Sequence, residues 1–564
     1  MLEVSIEIGD WKHTLYSGTG NCASYHRKNS PGCATLWRDP MTDTQTGILS
    51  PAQSRSPLAS PWQRIIRNDL TPLILLALAS ILLHTLTNGR YGFHRDELAS
   101  LDDGRHLAWG YVAYPPLTPL VARVAFELFG TSLLGFRLSA TLAISIVIVL
   151  TGLIARDLGG TRFAQLVAAI AAAISPVALF HASVLMYTSF DYLWWVLTAC
   201  LVVRLLKSED ARWWLAIGAA IAAGLMTKYT MAFLAAGVLA GVFFTRARRY
   251  LRCLWFWAGI ALCVFLVLPN FLWQLHHNFA TLEFLKSIHA RDVGLGRADG
   301  FLHKQLWSNT AVMSVPLWLA GLYYFFFVPE GKRYRALGWM FLVPFLLLLF
   351  ANGREYYIAP AYPMLIAAGA VFVEQWAAAR SVAHQEWLKS TARHALAING
   401  VMVMLVVLRF PSPGTGWWRF CDQLNGNNFS EEVGWQEMVA SIATVRDSLS
   451  AEDRSRLSIL AGDAGEAGAV NLYGSAYGLP RAISGSNSHW LRGYGDPPPQ
   501  TVITVGSPRD LYLERFFESC VLAGHLSNRY GITNAAVGNY TDLFVCRNLR
   551  QPWPEFWKDF HWFG

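Results

Sequence analysis

Asp96 and Glu97 stand side by side in YGFHRDELASLDDGRHLAWGYVAYPPLTPL, residues 91–120, a stretch crowded with ionisable side chains. A carboxylate beside a hydroxyl is suited to take its proton as a general base. Asp191 (YTSFDYLWW), Lys228 (MTKYT) and Arg354 (NGREYYIAPAYP) stand at the ends of apolar runs. Lysine offers a phosphate a point charge and arginine a planar fork. Tyr356, Tyr357 and Tyr362 add amphipathic rings of the kind found at headgroup depth. His94 and Arg105, in the same stretch as Asp96, join the substrate-binding candidates.

Ionisable groups at a bilayer edge cost a few kcal/mol on insertion scales, which makes each a functional candidate by default. The competing account is a snorkelling side chain or a helix cap. It serves a lone Lys228 or Glu355 as well as function does. It serves adjacent carboxylates poorly, since a loop needs no such pair.

The elements that must position these groups are membrane helices. The chain is 53% hydrophobic and 15% charged, against about 25% charged in soluble domains. About eleven apolar runs are long enough to be read as spans, near 70–88, 134–155, 163–180, 187–205, 213–227, 230–245, 253–273, 309–328, 336–351, 357–377 and 394–409. Segment 115–130 is apolar on one side only and reads as an interfacial helix.

Basic residues sort by side. Arg156, Arg162, Lys207, Arg246, Arg248, Arg249, Lys332, Arg333 and Arg380 occupy loops on one side. The short loops opposite hold Lys228 and Arg354. The positive-inside rule makes the first side the cytoplasm. An odd number of spans then carries residues 89–133, the loop 274–308 and the tail to the other face. The net charge of +8 is dispersed among these loops, with no continuous basic face to track nucleic acid.

Residues 1–62 are polar, lack the apolar core of a signal peptide and are expected to be a disordered cytoplasmic extension. Residues 63–410 form the membrane domain. Residues 411–564 mix a helical stretch (WQEMVASIATVRDSLS) with strand-like runs (LSILAG, TVITVG, DLFVCR), which implies a small α/β domain outside the membrane. Its AGDAGEAGAV glycines are spaced GxxGxxG, unlike the dinucleotide fingerprint GxGxxG. Of the eight cysteines, only Cys421, Cys520 and Cys546 would meet an oxidising compartment, which allows one disulfide at most. His276, His277, His289 and His303 match no metal-site spacing, and no metal is expected. With Gly294, Gly296 and Gly300, that loop reads as a mobile lid. In the tail, Asn487–Asp496 (NSHWLRGYGD) is either a sugar- or phosphate-facing surface or a loop packing its own tryptophan.

A carboxylate base, a cationic phosphate clamp and a membrane edge together suit transfer from a lipid-linked phosphate donor. A transporter or flippase is the alternative, but such folds show inverted repeats and charges near mid-membrane, and neither is seen here.

DEL after the first run, GYVAYPPLTPL, Asp191, LPNFLWQLHHNFATLEF and REYYIAPAYPML resemble the membrane glycosyltransferases of the GT-C superfold. They are most similar to the bacterial branch of the dolichyl-phosphate-mannose protein mannosyltransferases, alongside lipid A aminoarabinose transferases and RgtA/B/C/D-like transferases. The resemblance implies a catalytic acid in the first loop, Asp96 with Glu97 beside it, and a second at Asp191. It implies a polyprenyl-phosphate sugar donor, no other cofactor, and inversion at the anomeric carbon. The expected partners are that donor, membrane lipids and an envelope lipid, glycan or protein acceptor, with the enzyme in the cell inner membrane and its tail periplasmic. One departure is Ala99-Ser100, where the family often has an aromatic pair after DEL.

Overall fold

The structure, a computed structural model, describes residues 70–507, 514–532, 534, 538 and 540–564, and the expected extension 1–62 lies outside them. Every apolar run within the described residues is helical. Among the described residues, seven helices are long and apolar enough to cross a membrane. They include α1 (Leu70–Thr87), α4 (Leu133–Asp157), α5 (Tyr187–Ser208), α8 (Leu254–His276) and α10 (Val382–Val407), with Glu330–Phe350 and Glu355–Ala378 completing the set. The protein is therefore a multi-pass membrane protein.

The other expected spans are shorter or bent. The run 163–180 divides at Ser175, because Pro176 opens a new short helix there and disfavours helical backbone in the residue before it. The runs at 213–227 and 230–245 give α6 (Trp213–Leu225) and α7 (Met231–Phe243), each of 13 residues. A bend of 99° follows α7.

Three helices outside the long spans shape the end of the bundle where the candidate residues lie. They are α2 (Arg95–Arg105), α3 (Leu117–Phe129) and α9 (Ala280–Gly294). Helix α3 buries Ala122 and Ala125 and leaves the apolar Leu120, Val124 and Leu128 exposed.

The tail holds α11 (Gly416–Leu424), α12 (Trp435–Asp447) and α13 (Ala464–Tyr473). Its strands are β1 (Leu457–Ala461), β2 (Ala482–Ser484), β3 (Thr501–Val505), β4 (Phe517–His525) and β5 (Asp542–Leu549). They order as β2-β1-β3-β5-β4. β2 and β3 flank β1 in parallel, and β5 runs antiparallel to both β3 and β4. Cys520 and Cys546 pair across β4 and β5 and form a disulfide.

The tail is welded to the helices beneath it. Phe93, Leu98, Leu101, Ala122 and Phe136 share one buried cluster with Val439, Ile442, Ile459, Val470 and Ile503. Under that cluster lies a chain of four charges, Glu97, Arg137, Glu432 and Arg409, all with fully buried side chains. Arg137 Nη2 donates to Glu97 Oε2 at 2.7 Å and stands 3.3 Å from Glu432 Oε2. Its remaining donors reach the carbonyls of Asn88 at 2.7 Å and Gly92 at 2.9 Å. Arg409, just after α10, donates from Nε to Glu432 Oε1 at 3.1 Å. Burial would raise the Glu432 carboxyl, but Arg409 and Arg137 hold it below its ordinary value.

Removing one member of such a network leaves an opposite charge buried and unpaired, which costs about 3–5 kcal/mol. Arg137→Leu is therefore expected to lose about that much stability in denaturant unfolding of the solubilised protein. A loss below about 1 kcal/mol would show that the network is not what seats the tail.

Candidate functional site

Helix α2 starts by a local rule. His94 caps it: His94 Nδ1 accepts from the Asp96 amide at 3.1 Å, and Glu97 Oε2 accepts from the His94 amide at 2.8 Å. This reciprocal capping box uses the N-cap and the third helical residue. It explains the adjacent acids. Glu97 is turned inward, where it also accepts from the Leu185 amide at 2.9 Å and from Arg137. Asp96 is turned outward with its side chain 36% exposed, 3.7 Å from Arg95. Expected as a pair of catalytic acids, the two carboxylates face opposite ways, and Glu97 cannot reach a substrate. His94 is likewise spent on the cap.

Lys228 lies in the turn between α6 and α7, its amide bonded to the Gly224 carbonyl at 2.8 Å. It is 9% exposed. Its Nζ faces three rings, with centroids at 4.2 Å (Tyr357), 5.3 Å (Tyr187) and 5.4 Å (Tyr356). Such contacts are worth roughly 0.5–2 kcal/mol each. Asp191 is 2% exposed and accepts from Trp195 Nε1 at 3.1 Å and from Thr230 Oγ1 at 2.9 Å. It acts electrostatically on Lys228 and is too enclosed to meet an acceptor.

Arg354 spends its fork on Asp292 of α9, with Nε to Oδ2 at 2.6 Å and Nη2 to Oδ1 at 2.7 Å. Nη1 also points at the Tyr356 hydroxyl, 3.4 Å away. Asp292 was not singled out in the sequence, where it falls in the loop read as a mobile lid. Arg297 and Arg291 also approach it, at 3.1 and 3.7 Å. Burial works against the charge on Asp292, but these guanidinium groups win and keep its carboxyl below the ordinary value. Three guanidinium groups around one carboxylate leave an excess of positive charge beside the tyrosine cage. The ring of Tyr187 ties the parts together, since Asp96, Arg95 and Arg354 all act on it electrostatically.

Two expected residues lie elsewhere. Arg105, at the far end of α2, donates to the Asn471 carbonyl at 2.7 Å and stacks on Phe126. Tyr362 is fully buried between Trp318 and Phe341, its hydroxyl donating to Gln305 Oε1 at 2.9 Å. Both look available in a linear sequence and are consumed by packing.

The tail forms the back wall of the site. A side chain at Gly468 would strike the Leu98 carbonyl, and one at Gly465 would strike Arg95. Gly465 and Gly468 thus lie on the face where α13 meets α2, whereas Gly462 packs against Gly506. The Ala99 amide lies at the same crossing. Arg492 bonds both Asp102 and Asp103 on the buried side of α2. Asp103 accepts from Tyr114, and the Tyr114 ring lies 5.6 Å from that of Tyr187. Trp490 stacks on His561, with Nε1 donating to the Trp557 carbonyl at 2.7 Å. The Asn487–Asp496 segment therefore packs its own tryptophan and clamps α2, so it does not present a free recognition surface. Among the described residues no cluster of His, Cys, Asp and Glu could hold a metal ion.

Residues 113–273 match the family model described as Dolichyl-phosphate-mannose-protein mannosyltransferase. No curated protein matches the chain in sequence. ArnT from Cupriavidus metallidurans bound to undecaprenyl phosphate is similar in structure, at 16% identity and a TM-score of 0.52 over 84% of this chain and 97% of that one. Its apo form gives 14%, 0.53, 85% and 98%. The arabinofuranosyltransferase AftD from Mycobacteria gives 14% identity and a TM-score of 0.49 over 84% of this chain and 39% of that one. The chain shares its fold with ArnT, as the resemblance implied.

Burial lowers Lys228 to about 8, with Asp191 opposing the shift and Arg354 adding to it. A lowered lysine is fully charged below that value and loses its proton above it. Affinity for dodecyl phosphate, measured by calorimetry on the solubilised protein, is expected to be greatest below pH 8 and to fall as pH rises beyond it. Affinity that stays level to pH 10 would mean that another cation holds the anion.

Proposed function

From this shared fold as premise, we propose that this protein is a membrane glycosyltransferase that moves a single sugar from a polyprenyl-phosphate donor to an envelope acceptor, with inversion. The observation that supports this reading is that an outward carboxylate, Asp96, and a tyrosine-caged lysine, Lys228, have Tyr187 as a common neighbour.

The roles follow from charge and exposure. A phosphate oxygen about 4 Å from Lys228 gains about 4 kcal/mol at an effective dielectric constant of about 20. That is comparable with the three ring contacts together, so a phosphate can compete with the cage for the cation. Arg354, Arg291 and Arg297 supply further positive potential, and Asp292 holds Arg354 in place. The acceptor oxygen attacks the anomeric carbon from the face opposite the phosphate and yields its proton to Asp96. The bond from carbon to phosphate oxygen breaks, and the polyprenyl phosphate departs with the electron pair. A phosphate monoester leaves without protonation, so a fixed cation facing the developing charge replaces a general acid. Asp191 keeps Lys228 aimed.

The acceptor is an envelope lipid, glycan or protein. The basic loops favour a cytoplasmic N-terminus and a periplasmic tail in the inner membrane. The Cys520–Cys546 disulfide supports that assignment, because such bonds persist in oxidising compartments.

Asp96→Asn is expected to lower transfer 10²- to 10⁴-fold, or about 3–5 kcal/mol of barrier, at unchanged protein level. Transfer is read by mass spectrometry of envelope glycolipids and glycoproteins, first in a deletion strain and then in that strain carrying the variant. Full transfer by Asp96→Asn would remove the base from this carboxylate.

Lys228→Met is expected to depress the transfer rate and to weaken dodecyl phosphate binding together. Normal values of both would place the phosphate elsewhere.

A further inference from the structure

Helix α11 presents three different sides. At about 100° per residue, Trp418, Cys421 and Asp422 share one side, and all three are buried. Arg419 and Gln423 share a second, exposed and polar. Trp417, Phe420 and Leu424 share a third, and their exposures are 46%, 55% and 61%. A nine-residue helix with so large a bare apolar side needs a cover.

Its position says what that cover is. Cys421 Sγ meets the Leu405 carbonyl at 3.7 Å, and Asn425 Nδ2 donates to the Val406 carbonyl at 2.8 Å. Both carbonyls belong to the last turn of α10, a helix long and apolar enough to span. Ile398, Val401, Met402 and Leu405 of α10 are themselves exposed, as the lipid-facing side of a span must be. The bare side of α11 therefore begins at the membrane boundary, where a lipid-facing surface ends.

We propose that α11 is an interfacial helix lying in the plane of the headgroup layer, its partner the lipid surface of the leaflet in which α10 ends. Trp417 and Phe420 sit at the depth favoured by aromatic belts, and Arg419 meets the headgroups. The buried side of the same helix transmits this fixed height to the tail. Asp422 Oδ1 accepts from the amides of Phe429 at 2.8 Å and Ser430 at 3.1 Å. Two residues further on, Glu432 enters the buried network with Arg137 and Arg409. The membrane surface thus sets where Glu432 stands beneath α2. The inference does not depend on the proposed chemistry.

The test uses the full-length protein in vesicles whose phospholipid acyl chains are brominated near the headgroup end. Bromine quenches tryptophan on contact, and the difference between wild type and Trp417→Phe isolates one of the 23 tryptophans. The Trp417 signal is expected to be quenched by brominated lipid and not by a water-soluble quencher. Trp418→Phe, on the buried side, should leave lipid quenching as in wild type. Phe420→Asp, which places a charge in the headgroup layer, should raise protease cleavage of the tail severalfold in vesicles. A Trp417 signal quenched from water and not from lipid would overturn the proposal. So would chain-to-chain crosslinking through Phe420→Cys with no lipid quenching, which would make a second copy the cover.

Discussion

The fully buried chain of Glu97, Arg137, Glu432 and Arg409 is the constraint on which the rest of this structure depends. It joins four separate parts of the sequence: the start of α2, the start of α4, the exit of α10 and the entry to the tail. Four charges buried out of water are costly to bring together and worse to separate. Arg137 meets this cost with backbone carbonyls as well as carboxylates, using the loop after α1 as a further anchor. The outward direction of Asp96 follows from it. With Glu97 held inward at the third helical position, the preceding residue is turned away from the network and outward.

The tail is in consequence a structural part of the site. Its glycine face lets α13 approach α2 at backbone distance, and its Arg492 binds the two buried acids further along the same helix. From Asp103 the contacts continue through Tyr114 to Tyr187, one of the rings around Lys228. The carboxylate and the caged cation are therefore braced by one framework.

Under the proposed function, the lysine cage keeps a cation ready at a membrane edge. A carboxylate bonded directly to Lys228 would compete with an incoming phosphate at full charge. Tyrosine faces stabilise the ammonium group less and yield more readily. Arg354 is handled the other way, gripped by Asp292, and contributes as part of an arginine-rich surround. Asp191, bonded to Thr230 and Trp195, supplies counter-charge from within the bundle.

Much of this was legible in the residues themselves. Hydrophobic run length dictates helices in a bilayer, since backbone groups there can be satisfied in few other ways, and the apolar runs are all helical. LSILAG, TVITVG and DLFVCR became β1, β3 and β5 because alternating and β-branched runs between turns have few alternatives. Asp96, Asp191, Lys228, Arg354, Tyr356 and Tyr357 stood out because charge and amphipathic rings at a membrane edge are costly without a purpose. The helix-cap spacing of His94 and Glu97 was there to be read as well.

What tertiary structure alone decided was which charges are spent. Glu97, Arg105, Tyr362 and Arg492 look as available as Asp96 in a linear sequence, but each meets its partner from a distant segment: Arg137, Asn471, Gln305 and the Asp102–Asp103 pair. Asp292 became part of the site only because Arg354 folded onto it. Periodicity and spacing report local backbone preference and one-sided burial. Pairing of buried charges depends on which segments the whole fold brings within hydrogen-bond reach, and no single segment carries that information.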